Sequence, residues 1–141
     1  MRKLLVLLFF FSATTLAKES SIDVVLEQCK NEHVNVSDMA INDCYQAAIK
    51  SWDKMLNAEY KQLMSDTETS EEFKDSLKKS QLVWIKYKDQ YTETIMKYYN
   101  NQKGSYWGIV GAENVMNITK NKAIELHKLR ISNDPSASPD D

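Results

Sequence analysis

Glycine and proline are nearly missing from this sequence. Its 141 residues hold three glycines (Gly104, Gly108 and Gly111) and two prolines (Pro135 and Pro139). So few turn residues ahead of position 104 argue against a sheet protein built on hairpins and for long helices. A glycine-rich phosphate loop is absent. Ser51 and Ser80 lack the context of a nucleophile elbow. The only histidines, His33 and His127, stand far apart without metal-ligand spacing, and are read as surface residues. No cofactor motif is found. Positive charge is not in excess either, with 18 basic residues against 20 acidic. Nucleic acid needs a basic surface and is excluded as a partner; a cationic partner is tolerated.

Long hydrophobic runs are limited to one. Arg2 and Lys3 precede an unbroken apolar stretch over residues 4–11, and Thr15, Leu16 and Ala17 follow with small residues where a signal peptidase reads. This is the pattern of a secretory signal over residues 1–17. A membrane anchor is the competing reading, but spanning a bilayer takes about 20 apolar residues. A Sec-type leader makes the mature chain periplasmic or secreted, with no membrane insertion after cleavage. Removing Arg2 and Lys3 leaves it more acidic still. An exported chain with two cysteines, Cys29 and Cys44, reads as holding one disulfide. The alternative, a metal pair with His33, lacks the four ligands a structural zinc prefers.

Hydrophobic spacing predicts an all-α fold: a small helical bundle with two long antiparallel helices plus shorter first and last helices. The first helix spans about residues 21–31. Ser37 or Asp38 caps the second, which runs to Ser65 with Ile41, Tyr45, Ala48, Ile49, Trp52, Leu56, Tyr60 and Leu63 on one face. A polar break over residues 66–70 leads to the third, ending near Asn100. Ser105 opens the last, whose apolar residues (Ile109, Val110, Val115, Ile118, Ile124, Leu126 and Leu129) recur less regularly. Gly108 and Gly111 either weaken its start or admit a close neighbour. Residues 18–131 form one domain, and 132–141 a disordered acidic tail.

Within the two long helices a few polar residues interrupt the apolar stripes. Asp53, Asn57 and Tyr60 do so in one; Gln81, Trp84 and Lys88 in the other. A break of this length makes the helices antiparallel neighbours. Asp53 is then expected to pair with Lys88 or the Trp84 indole, and Asn57 with Gln81. Buried polar groups need such partners.

These residues also carry a resemblance. Cys44, Asp53, Leu56, Asn57 and Tyr60 resemble the C…D..LN..Y signature of the DUF1311 family, described as the lysozyme inhibitor LprI N-terminal domain family. Leu77, Gln81, Trp84, Tyr87, Lys88 and Asp89 resemble its second block, and residues 119–126, weakly, its closing segment. The likeness covers about residues 29–130. Tyr91 stands where members often carry another cysteine, so a second bridge is absent. Lys88 replaces the usual arginine, which removes a bidentate pair with a carboxylate. The resemblance implies a small exported all-helical bacterial protein of a family most of whose members have no established activity, one branch being associated with binding and inhibiting lysozyme. The shared residues Asp53, Leu56, Asn57, Tyr60, Gln81, Trp84, Lys88 and Asp89 read as scaffold.

Three function classes follow. The first is an envelope binding protein that inhibits a lysozyme-like muramidase by contact. The second is a structural, accessory or immunity-type periplasmic protein. The third, an enzyme, would rest on carboxylate pairs such as Asp53 with Glu59 or Asp89 with Glu93; nothing in the sequence marks a raised pKa, and no catalytic residue is assigned. The stripe of Trp52, Tyr60, Trp84, Tyr87, Tyr91 and Tyr98 reads as core rather than groove. Tyr98, Tyr99, Tyr106 and Trp107 flank the Gly104 break; they either contact a partner or pack the end of the bundle.

Overall fold

The computed structural model describes residues 21–132. The expected leader and all but the first residue of the expected tail lie outside the described residues. Within them the chain forms four helices: α1 (Ser21–His33), α2 (Asp38–Ser65), α3 (Glu71–Asn100) and α4 (Tyr106–Ile131). No strand occurs among the described residues.

Local chemistry sets most of the boundaries. Ser37 caps α2, its hydroxyl accepting from the Ala40 amide at 3.2 Å. Ser70 does the same for α3, from the Phe73 amide at 3.1 Å, with Glu71 and Glu72 complementing the dipole behind it. The turn after α3 passes through Gly104 at φ 105°, a conformation that side chains disfavour. Ser105 precedes α4 without capping it. Its hydroxyl instead donates to Asp38 at the start of α2.

That contact reveals the packing. Asp38 lies beside Ser105, 67 positions on, and Glu59 beside His127, 68 positions on. A constant offset means that α2 and α4 run parallel, side by side. α3 returns antiparallel between their ends, and α1 lies on α2, stapled to it by the Cys29–Cys44 disulfide (Cα–Cα 5.8 Å). Lys120 of α4 reaches α1, its ammonium 2.8 Å from each carboxylate oxygen of Asp23. It also sits 5.4 Å from the centre of the Trp52 ring.

The core therefore belongs chiefly to α2 and α4. Trp52 is wholly buried, and the core cluster it belongs to includes Tyr45, Ala48, Leu56 and Leu63 of its own helix and Ala112, Met116, Ala123 and Leu126 of α4. Truncating such a residue costs about 3–5 kcal/mol. The expected apolar face of α2 is the one that is buried. That of α4 differs in part: Leu126 is buried as expected, but Leu129 is exposed and Val115 and Ile118 only half-buried, and Gly111, Ala112, Thr119 and Ala123 pack beside Met116 and Leu126 instead. A helix held between two neighbours needs a wide apolar arc, and its periodicity blurs. Gly111 is the glycine with a close neighbour: a Cβ there would meet the Tyr99 side chain at 3.6 Å, whereas Gly108 faces open space.

Candidate functional site

α3 leans on α4 rather than closing on α2. A cleft of about 380 Å³ stays open between α2 and α3. Its α2 wall carries Asp53, Leu56, Asn57 and Tyr60; its α3 wall carries Lys78, Gln81, Leu82, Trp84, Ile85 and Lys88. Periodicity explains the grouping. Asp53, Asn57 and Tyr60 follow one another by four and three residues, as do Gln81, Trp84 and Lys88 by three and four, so each trio shares a helix face. Seven of the motif residues, Asp53, Leu56, Asn57, Tyr60, Gln81, Trp84 and Lys88, thus meet in one place, while Cys44, Leu77, Tyr87 and Asp89 are not in its lining.

They do not meet by the expected pairing. Among the described residues no hydrogen bond joins the two walls. Asn57 donates within α2, to the Asp53 carboxylate at 3.0 Å and to its carbonyl at 2.9 Å. Lys88 pairs with its neighbour Asp89 at 3.4 Å, and its ammonium stands 5.9 Å from the Trp84 ring centre. Gln81 is only 6% exposed, and its Oε1 has no partner. The reason is geometric: α4 fills the place against α2 that the short 66–70 connection suggested for α3.

The far wall of α3 forms a second cleft, of about 310 Å³, against α4. Trp84, Tyr87 and Tyr91 face Asn114, Asn117, Ile118, Asn121, Lys122 and Glu125 across it. Tyr87 and Tyr91 stack at 5.5 Å between centroids, and both are exposed. Of the aromatic stripe read as core, only Trp52 is fully buried; Tyr60 and Trp84 are half-buried cleft walls.

At the α3–α4 turn the four flanking aromatics form one continuous cluster. Tyr98 meets Tyr99 edge-on at 5.1 Å, Tyr99 stacks on Trp107 at 6.0 Å, and Trp107 meets Tyr106 edge-on at 5.7 Å. Tyr99 and Trp107 are half-buried; Tyr98 and Tyr106 stand 62% and 63% exposed. Two anchored rings thus hold two projecting ones.

Sequence spacing alone missed one ionic group. Glu59 is buried on α2 and turned toward α4, where its carboxylate accepts from Arg130 Nε at 2.5 Å and lies 3.0 Å from His127 Nδ1. Burial pushes this carboxyl up, but the hydrogen bonds from Arg130 and His127 outweigh it and hold it below its ordinary value. His127 is accordingly a half-buried partner, not a free surface residue. At the other end, His33 converges with Cys29 and Cys44, all ligand atoms lying within 4.8 Å of one another. The cysteines are joined to each other, and His33 Nδ1 faces the Cys29 carbonyl at 2.8 Å.

Comparison with known proteins adds three findings. A family model described as lysozyme inhibitor LprI matches residues 29–126. A crystal structure of an uncharacterised protein from Burkholderia thailandensis is similar in fold. It is 18% identical with a TM-score of 0.69, and the match covers 77% of this chain and 52% of that one. The chain thus spans about half of that structure's length, and at such identity the likeness speaks for the fold alone. No curated protein matches.

Proposed function

The chain belongs to the lysozyme inhibitor LprI family, and from that premise we propose that it is an exported envelope protein that binds a lysozyme-like muramidase and blocks it by contact. The observation that carries this reading is the aromatic knob at the α3–α4 turn. Tyrosine and tryptophan dominate binding hot spots, because a rigid ring buries much area at little entropic cost. Tyr98 and Tyr106 project from a base of Tyr99 and Trp107, already ordered before any partner arrives. The contact between Ser105 and Asp38 pins the same turn to α2. A projecting, preordered surface of this kind suits entry into a concave enzyme cleft.

Charge supports the encounter. The chain is net acidic, more so without its leader, and a cationic enzyme would be drawn to it. No helix among the described residues is long and apolar enough to cross a membrane.

The enzyme reading draws less support. A general acid needs a raised carboxyl pKa. Glu59 is held low by Arg130 and His127, and Glu93 by Lys97. Glu59 also faces α4 while Asp53 faces the α2–α3 cleft.

A turbidity assay of bacterial lysis tests the proposal. The purified protein is expected to slow a muramidase in proportion to its concentration, and Tyr98→Ala with Tyr106→Ala to abolish the effect. Complete lysis at large molar excess of the wild-type protein would overturn it.

A further inference from the structure

The corner where α1 meets α2 gathers three residues whose side chains ligate soft metal ions. Cys29 and His33 stand one turn apart on α1, so they share a face. Cys44 reaches them from α2. The two sulfurs and a ring nitrogen of His33 all lie within 4.8 Å of one another. Among the described residues no other group of three or more histidine, cysteine or carboxylate donors converges this closely. His33 closes α1 and is half-buried rather than turned out to water. Its Nδ1 meets the Cys29 carbonyl at 2.8 Å. That carbonyl accepts one ring proton and leaves the other nitrogen its lone pair, the way a ligating histidine is oriented.

With the bridge closed neither sulfur is a ligand, because the thiolate is the form that binds metal. Opening it is a two-electron step. A dithiol reductant gives up two electrons and two protons, becomes a disulfide itself, and leaves Cys29 and Cys44 as thiols. The Cα atoms are 5.8 Å apart. Side-chain rotation then lets the freed sulfurs part to about 4 Å, the spacing that two metal–sulfur bonds of about 2.3 Å require. Two sulfurs and an imidazole favour Cu(I) or Zn(II) over harder ions. Ligand number separates those two. Structural zinc is held by four protein ligands, and no fourth joins this group. Both cysteines also line a pocket of about 230 Å³ between α1 and α2, whose wall is mainly apolar and carries no carboxylate. Cu(I), with its closed d shell, is content with two or three soft ligands, and the pocket gives it a way in.

We propose that the reduced protein binds one Cu(I) ion through the sulfurs of Cys29 and Cys44 and the imidazole of His33, and that the disulfide gates this site. Binding releases the two thiol protons and joins α1 to α2 through the metal in place of the bridge. A disulfide-carrying partner reverses the exchange: it takes two electrons from the thiolates and two protons from solvent, the bridge closes and the ion leaves. The site stands whether or not the aromatic turn contacts a muramidase.

The test is a competition titration without air. The protein is reduced with dithiothreitol, freed of it by gel filtration, and mixed with Cu(I) held by bicinchoninate, whose colour reports the ion withdrawn. The reduced protein is expected to withdraw one equivalent and the oxidised protein none. Cu(I) is expected to raise the melting temperature of the reduced protein alone. Cys29→Ser, at the half-buried position, is expected to abolish binding, and His33→Ala to weaken it by about 100-fold. Met39→Ala removes an exposed thioether at the start of α2 and is expected to leave affinity unchanged. Equal withdrawal by the oxidised protein refutes the ligand set, and unchanged affinity in His33→Ala refutes the third ligand. A loss of affinity in Met39→Ala refutes the location. Displacement of bound Cu(I) by an equal concentration of Zn(II) refutes the metal. Loss of the helical circular dichroism on reduction refutes a preformed site, and no withdrawal by the folded, reduced protein refutes the site altogether.

Discussion

Replacing Glu59 by glutamine tests the ionic link between α2 and α4. The side chain keeps its shape, so no cavity opens. What is lost is the charge behind the bonds to Arg130 Nε (2.5 Å) and His127 Nδ1 (3.0 Å). One carboxylate oxygen also becomes an NH₂ that confronts donors. Charge-assisted bonds contribute about 1.5–3 kcal/mol each and neutral ones about 1. The Arg130 side chain is 34% exposed and that of His127 21%, so both regain water when released, which trims the loss. A net cost of about 2 kcal/mol follows, or about 8 °C in melting temperature for a domain of this size. The pH dependence sharpens the test. The folded carboxyl titrates below its ordinary 4.5. Between the two values the unfolded chain binds more protons, so the contribution is complete above 4.5 and disappears as pH falls through the folded value. Melting followed by circular dichroism is therefore expected to separate the two proteins at neutral pH and to bring them together once the pH falls below the folded titration of Glu59. Coincident melting at neutral pH refutes the argument, and so does a gap that persists undiminished into acid.

Other perturbations separate scaffold from surface. Reducing the Cys29–Cys44 bridge releases a link across a separation of 15 residues and is expected to lower stability by about 3 kcal/mol in denaturant unfolding. Lys120→Ala removes the tie to Asp23 and the ammonium beside Trp52, and about 1–2 kcal/mol is expected in the same measurement. Ser70→Ala deletes the α3 cap at a cost of about 1 kcal/mol. Tyr98→Ala with Tyr106→Ala removes two exposed rings and is expected to move stability by less than about 1 kcal/mol while abolishing muramidase inhibition in the lysis assay.

The helices and the bridge were readable because their causes are local. Ser37 and Ser70 announce helix starts, the apolar spacing from Tyr45 to Leu63 gives the buried face of α2, and two cysteines leave one pairing. The partner of α2 was not readable in the same way. A short connection between α2 and α3 implies antiparallel neighbours, but says nothing about a third helix arriving from residue 106. α4 takes the closer place, with small buried residues Ala112, Thr119 and Ala123 along its length. Small residues of this kind leave only a faint hydrophobic period.

The motif residues show the same limit from the other side. Asp53, Asn57, Gln81 and Lys88 share a face-to-face register in the sequence, and the structure does bring them to one cleft. Sequence pattern places side chains on faces; it does not fix how far apart two faces stand. Were the walls in contact, Gln81 could pair with Asn57 as the sequence pattern suggests. Held apart by the seat of α3 on α4, Asn57 satisfies Asp53 instead, and Gln81 Oε1 is left over. Whether the two polar faces interlock thus rests on the spacing that α4 imposes. Glu59 shows that the polar seam of this fold exists after all, one face further round α2, where Arg130 and His127 meet it.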